Sequence, residues 1–303
     1  MKTLELEKNF LGIGKEHSSF DGSRVVIVPI PYERSVSYGT GTKRGPEAIL
    51  KASHYVEFYD EELGRELFRE VGIATIPPLD LKKQADEKAL QKVYQTLKSL
   101  LESGKYVVTL GGEHTLSQST IAAHAEAYPN LSLLQLDAHS DLREEYLGNK
   151  YSHASVMARV CEFFDPKRIV QVGIRAQCKE EAEAIKEKGI STFYAHEIRH
   201  GKYTRVLKYW EDLVIEKLSE NVYVTFDVDV FDPSIMPATG TPEPNGLLWH
   251  ETLNLLRKLA SRRKIVGFDV VELAPIHGLH HPDLSVAKLV YKILNYALPP
   301  SES

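Results

Sequence analysis

Residues 131–141 read Leu-Ser-Leu-Leu-Gln-Leu-Asp-Ala-His-Ser-Asp. Leu131–Leu136 is a short apolar run of strand length, and three ionisable side chains follow it at alternate positions. In extended backbone, residues i, i+2 and i+4 project to one face, so Asp137, His139 and Asp141 can point together. The pattern continues outward on both sides. Arg24–Ile30, Tyr106–Leu110, Arg168–Val172, Val222–Phe226 and Lys264–Phe268 also read as strands. Gln84–Leu101, Thr115–Tyr128, Lys179–Lys188, Lys202–Leu218, Leu247–Leu259 and Pro282–Asn295 read as helices. In the first of these, Leu90, Val93, Leu97 and Leu100 form the stripe of an amphipathic helix. Strands alternating with helices imply βαβ units, hence an α/β fold whose parallel sheet is covered on both faces. Such sheets bind ligands beyond the carboxyl ends of their strands. Polar residues stand at those ends: Gly111-Gly112-Glu113-His114 follows one strand, and Asp227 and Asp229 close another.

The chain has 303 residues, enough for two domains or one large α/β domain. Its 43% hydrophobic and 26% charged residues are ordinary for a globular chain and too apolar for disorder. A net charge of −5 gives no electrostatic footprint for nucleic acid, and no apolar stretch reaches the length of a membrane span. The opening residues MKTLELEKNF carry charge where a signal peptide needs an apolar run. With only two cysteines, Cys161 and Cys178, a disulfide scaffold is excluded and a cytoplasmic protein with reduced thiols is expected.

Three strand ends treated as neighbours would aim four aspartates (Asp137, Asp141, Asp227, Asp229) and two histidines (His114, His139) at one place. Two carboxylates about 4 Å apart repel by roughly 4 kcal/mol at an effective dielectric of 20. Four of them need protons or cations, and two divalent ions would bring the charge near neutrality. Oxygen ligands with imidazole suit Mn²⁺, and a metal pair activates water. A single Asp-x-Asp is common in turns and helix caps; the three clusters together are not.

These residues resemble the signatures of the ureohydrolase family, which includes arginases, agmatinases, guanidinobutyrases and formimidoylglutamases. Gly-Gly-Glu-His at 111–114, Asp-Ala-His-Ser-Asp at 137–141, Phe-Asp-Val-Asp-Val-Phe-Asp-Pro-Ser at 226–234 and Pro-Ala-Thr-Gly-Thr-Pro-Glu-Pro at 237–244 carry the resemblance. It is nearest to agmatinases. The resemblance implies a single three-layer αβα domain with a mostly parallel sheet of about eight strands, spanning 23–303 after an N-terminal extension, 1–22. It implies two Mn²⁺ per subunit, held by His114, Asp137, His139, Asp141, Asp227 and Asp229, with Asp137 and Asp227 bridging. It implies a homotrimer or homohexamer. His153 matches the family's mobile-loop histidine and Glu272 its guanidinium-binding glutamate. Two departures stand out: Ala238 and Asn245 replace glycines common in the family, and a glycine used there for positive φ would be costly to replace.

A guanidinium is a planar cation with a poorly electrophilic carbon. Hydrolysis needs an activated water, a carboxylate such as Glu272 to orient the substrate, a base such as Asp141, and an acid such as His153 for the departing amine. The expected substrate is a small cationic guanidine. Agmatine, cleaved to urea and putrescine, leads; aminopropylagmatine, guanidinobutyrate, arginine and formiminoglutamate are the alternatives. Tail-binding candidates are Arg143, Glu144, Glu145 and Thr241. Arg143 stands where arginases place asparagine, and it could also admit a carboxylate tail. A catalytically silent binding subunit and a dinuclear phosphatase are the readings from other classes; the full ligand set opposes the first, and the lack of a basic cluster opposes the second. His277, His280 and His281 read as a surface loop, and Phe10–Asp21 as part of the extension rather than a lid.

Overall fold

Eight strands form one sheet in a computed structural model that describes residues 1–203 and 209–299. They are β1 (Val25–Ile30), β2 (Ile73–Thr75), β3 (Tyr106–Gly111), β4 (Ser132–Leu136), β5 (Ile169–Ile174), β6 (Ser191–Tyr194), β7 (Asn221–Asp227) and β8 (Lys264–Val271). The order is β2-β1-β3-β8-β7-β4-β5-β6, and every pair is parallel. The single α/β domain expected from the sequence is therefore observed, with its sheet wholly parallel.

β1, β3, β4 and β5 are buried along their length, and β7 and β8 beyond their first residue, because helices cover both faces. Alternate residues separate the layers: Val25 and Ile27 join one apolar cluster, Val26 and Val28 a second. Helix Asp86–Glu102 buries Leu90, Val93, Leu97 and Leu100, the stripe its spacing predicts. Residues 204–208 of the expected helix Lys202–Leu218 lie outside the described residues, and among those described in that span Trp210–Glu216 is helical. Periodicity did not reveal the edge strands β2 and β6, which have three and four residues, or helix Gly45–Ser53.

The N-terminal segment packs tightly onto this unit. Phe10, Leu11 and Ile13 are buried in the larger apolar cluster. Leu4 and Phe10 donate backbone N–H groups to Thr75 on the edge strand β2, and Leu11 donates to Ser53. The expected strain at Ala238 does not arise: Ala238 is buried with ordinary backbone, and the left-handed conformation falls at Asn245 (φ 68°), where asparagine is tolerated.

His124, on the helix Ser117–Ala127, is completely buried against Gly267 and the Tyr223 ring. Burial pushes its pKa down to about 4, against an ordinary 6.5. The unfolded chain therefore takes up this proton at higher pH than the folded chain. Its contribution is complete above pH 6.5 and is lost as pH falls toward 4, by at most about 3 kcal/mol. Denaturant midpoints measured between pH 7 and 4 should fall less steeply for His124→Leu than for the parent chain; parallel curves would refute this.

Candidate metal centre

The sheet order brings four strand ends together, and they are not the three neighbours expected. β8 lies between β3 and β7, so Glu272 emerges between His114 and the Asp227–Asp229 turn. Gly112 makes the close approach possible: a Cβ there would lie 2.0 Å from the Tyr32 carbonyl oxygen. Its N–H donates to Ile30 O and its carbonyl accepts from Glu272 N–H, tying β1, β3 and β8 together just below the site. Two site residues adopt left-handed backbone, Asp141 (φ 55°) and Glu272 (φ 65°). Such strain persists only where surrounding contacts enforce it. The Asp141 carbonyl accepts from Met157 and Ala158 N–H, capping the helix that follows His153. Glu272 is fixed by His114 N–H, which donates to its Oε1 at 2.6 Å.

Six predicted side chains converge in two overlapping groups. His114 Nδ1 lies 3.1 Å from Asp137 Oδ2, 3.0 Å from Asp141 Oδ2 and 3.5 Å from Asp227 Oδ2. His139 Nδ1 lies 2.9 Å from Asp229 Oδ2 and 3.7 Å from Asp137 Oδ1. Asp137 thus presents one oxygen to each group. Asp227 faces the His114 group, and its Oδ1 accepts from Asp229 N–H at 2.8 Å. His114–Asp137–Asp227 and Asp137–His139–Asp229 each gather their candidate ligand atoms within 4.8 Å of one another.

Hydrogen-bond direction tests whether cations fit. Thr225 Oγ1 donates to Asp269 Oδ1 at 2.7 Å, so toward His114 it can only accept. His114 Nε2 lies 2.9 Å from that oxygen and must carry the proton. In the neutral ring, Nδ1 therefore points a lone pair at three carboxylates. Nδ1 is buried and has no hydrogen-bond partner. A lone pair facing carboxylate oxygens is repulsive unless a proton or a metal ion lies between them, so the donor set fits a divalent cation.

The metal-free titration follows the same logic. Burial and the neighbouring Asp137 push Asp141 up to about 7, while burial and Asp229 raise both Asp137 and Asp227. Burial would neutralise His139, but the adjacent Asp229 outweighs it and lifts the ring to about 10. Burial likewise disfavours ionised Asp229, yet His139 holds it down at about 2. Glu272 is raised well above the carboxylate range by burial, then by Glu113. Charge this concentrated takes up protons unless cations replace them.

His153 stands at the edge of the cluster, with the Tyr146 ring edge-on to it at 6.1 Å between centroids. Burial, then the charge of His139, pushes it down to about 4, so it is a neutral imidazole near pH 7. Of the tail candidates, Arg143 lies next to the His153 segment, its backbone N–H donating to Ala154 O. The Arg143 guanidinium lies over the Tyr146 ring, and its Nε is 3.7 Å from Glu181. Glu144 pairs with Arg159 at 2.7 Å, Glu145 is exposed, and Thr241 is half-buried beside Gly240, whose carbonyl accepts from Gly39 N–H. His277, His280 and His281 line a separate cavity of about 970 Å³ with Arg44, Lys51 and Tyr55. No metal-ligand group forms there among the described residues.

Sequence reasoning missed the residues behind the ligands. Asp269, completely buried, receives hydroxyl protons from Thr120, Tyr223 and Thr225, the last of which orients His114. Thr192, Gln171 and Gln135 form a buried ladder across β6, β5 and β4 that ends with Gln135 donating to Asp137 Oδ2. A polar side chain inside an otherwise apolar strand was the available signal for Gln135, Gln171, Thr225 and Asp269.

A wholly parallel αβα sheet carrying this histidine–aspartate cluster has the arrangement of a binuclear metal hydrolase. Residues 23–295 match the profile described as Arginase family. The N(1)-aminopropylagmatine ureohydrolase of Synechocystis sp. is 39% identical over 284 residues, 92% of this chain and 90% of that protein. The agmatinase of Bacillus anthracis is 35% identical over 92% of this chain and 94% of its own length. Among solved structures, the agmatine ureohydrolase of Thermoplasma volcanium superposes with a TM-score of 0.82 at 29% identity, covering 98% of this chain and 94% of that one. The chain belongs to the arginase family and is a hydrolase of that family.

Divalent cation added to chelator-treated protein should raise the melting temperature, and Asp137→Asn should abolish the rise by disabling both groups at once. Thr225→Val, which removes the acceptor for His114 Nε2, should weaken metal binding by about 10–100-fold while leaving the fold intact. Unchanged metal content in Thr225→Val after equilibrium dialysis would remove Thr225 from the centre.

Proposed function

We propose that this enzyme is a manganese-dependent ureohydrolase that cleaves the guanidinium of an amine-tailed substrate, releasing urea and a polyamine. N(1)-aminopropylagmatine is the first substrate and agmatine the second. The observation that carries the class of reaction is His114 Nδ1 buried within 3.5 Å of three buried carboxylates, beside a buried glutamate at the centre of the sheet. The relative at 39% identity, whose name specifies aminopropylagmatine, supports placing that substrate ahead of agmatine, named in the relative at 35%.

His114, Asp137, Asp141 and Asp227 would hold one ion, and Asp137, His139 and Asp229 the other. Mostly oxygen donors with one imidazole per ion suit Mn²⁺. A bound pair would neutralise the clustered carboxylates and make water acidic enough to serve as a nucleophile near neutral pH. The chain's own residues supply the rest. Glu272 is buried and rigidly placed, so its carboxylate can orient the planar guanidinium. The cation in turn favours the ionised form that burial opposes. Asp141, whose Oδ2 faces the cluster 3.0 Å from His114 Nδ1, would be the group to take up a proton from the attacking water. His153 begins neutral, so it must accept a proton before delivering one to the departing amine.

Urea release should be highest with N(1)-aminopropylagmatine, lower with agmatine and negligible with arginine, Mn²⁺ being supplied. Glu272→Gln should lose roughly 10²–10³-fold in turnover with metal content unchanged. Loss of metal in that variant would reassign Glu272 to holding the ions. Urea from arginine alone would overturn the amine-tail reading.

A further inference from the structure

The loop after β1 is clamped to the site by a residue that the hydrolytic chemistry does not use. Glu113, completely buried in the Gly-Gly-Glu-His turn, receives four hydrogen bonds. Its Oε2 accepts from the backbone N–H groups of Arg34 and Ser35, and its Oε1 from the hydroxyls of Ser35 (2.8 Å) and Thr115 (2.7 Å). The other side of the loop is tied as well, since the Arg34 guanidinium donates to Leu81 O, Gln84 O and Asp86 Oδ1. The position of Ser35 is thus set by neighbours on both sides.

The Ser35 hydroxyl has one proton, and Glu113 takes it. Toward its other neighbours Ser35 Oγ can therefore only accept. Two of them belong to His153, the backbone N–H at 2.9 Å and Nδ1 at 3.3 Å, and the third, Thr115 Oγ1 at 3.4 Å, has given its own proton to Glu113. A hydroxyl oxygen that has given away its proton repels a nitrogen lone pair and attracts an N–H. We propose that Ser35, held by Glu113, is a positioning residue that fixes His153 as the Nδ1–H tautomer and leaves the Nε2 lone pair free to accept a proton. The 3.3 Å separation is long, as catalytic hydrogen bonds often are before substrate binds. The Ser37 hydroxyl lies 3.4 Å from Nε2, where it can donate to that lone pair. One serine thus anchors the backbone of His153 and orients its ring, and the carboxylate behind it decides which nitrogen carries hydrogen.

This arrangement deepens the ureohydrolase reading and depends on it for the consequence in turnover, but the proton position can be tested without it. A neutron crystal structure of the manganese-loaded enzyme should show hydrogen on His153 Nδ1 in the parent chain and on Nε2 in Ser35→Ala. Ser35→Ala should lower kcat about tenfold with KM within about twofold, and Ser35→Thr, which keeps the hydroxyl, should recover most of the loss. In a His153→Ala background, Ser35→Ala should cost nothing further. Loosening of the loop alone would instead multiply the two losses. Hydrogen on Nε2 in the parent chain, or multiplicative losses, would overturn the proposal even if urea is formed. A parent enzyme that releases urea from no guanidine would overturn the ureohydrolase reading, while the neutron result would still decide the role of Ser35.

Discussion

Repulsion among buried carboxylates is the constraint around which this molecule is organised. Asp137, Asp141, Asp227 and Asp229 are each at most 5% exposed, and Glu272 and Glu113 are buried beside them. Water would screen such charges, but the interior does not. Folding brings them together because backbone N–H groups, hydroxyls and two imidazoles share the charge, with protons or cations taking up the remainder. The parallel sheet makes this geometry attainable, since four adjacent strand ends deliver acidic side chains from one direction on a rigid base.

Behind the ligands lies an ordered set of hydrogen bonds whose directions matter as much as their number. Asp269 turns Thr225 into an acceptor, and that choice fixes the protonated nitrogen of His114. Asp229 accepts from Ala138 N–H with one oxygen and faces His139 with the other. The ladder from Thr192 to Gln135 fixes Asp137 across three strands. In each case a buried polar group is satisfied, and a ligand atom is aimed, by the same bond. On the substrate side, Glu113 acts on His153 through Ser35 as Asp269 acts on His114 through Thr225.

Much of this was legible in the sequence. The repeated coincidence of acidic clusters with strand ends sufficed to place the centre and the fold class, although Asp137, His139 and Asp141 lie beyond β4 and meet through a turn with Asp141 in left-handed backbone rather than through extended alternation. The intervening strand was not legible: nothing local in Lys264–Val271 says that it inserts between β3 and β7, because parallel pairing is decided by contacts far apart in the chain. The edge strands β2 and β6 were too short for periodicity. The partners of the tail candidates were not legible either, since Arg159, Tyr146 and Glu181, which engage Glu144 and Arg143, are set by packing rather than by spacing. Ser35 could not be found at all from spacing, because its meaning depends on a glutamate 78 positions away.

The insertion of β8 has a consequence for how the molecule comes into being. β3 and β4 are joined by a single helical connection, yet β7 and β8, made much later in synthesis, separate them in the finished sheet. Until β7 and β8 are made, β3 and β4 lack the neighbours that lie between them in the finished sheet. Closure of the sheet and completion of the acidic cluster are then one late event, so a nascent chain does not concentrate this negative charge until the scaffold able to bear it is nearly whole.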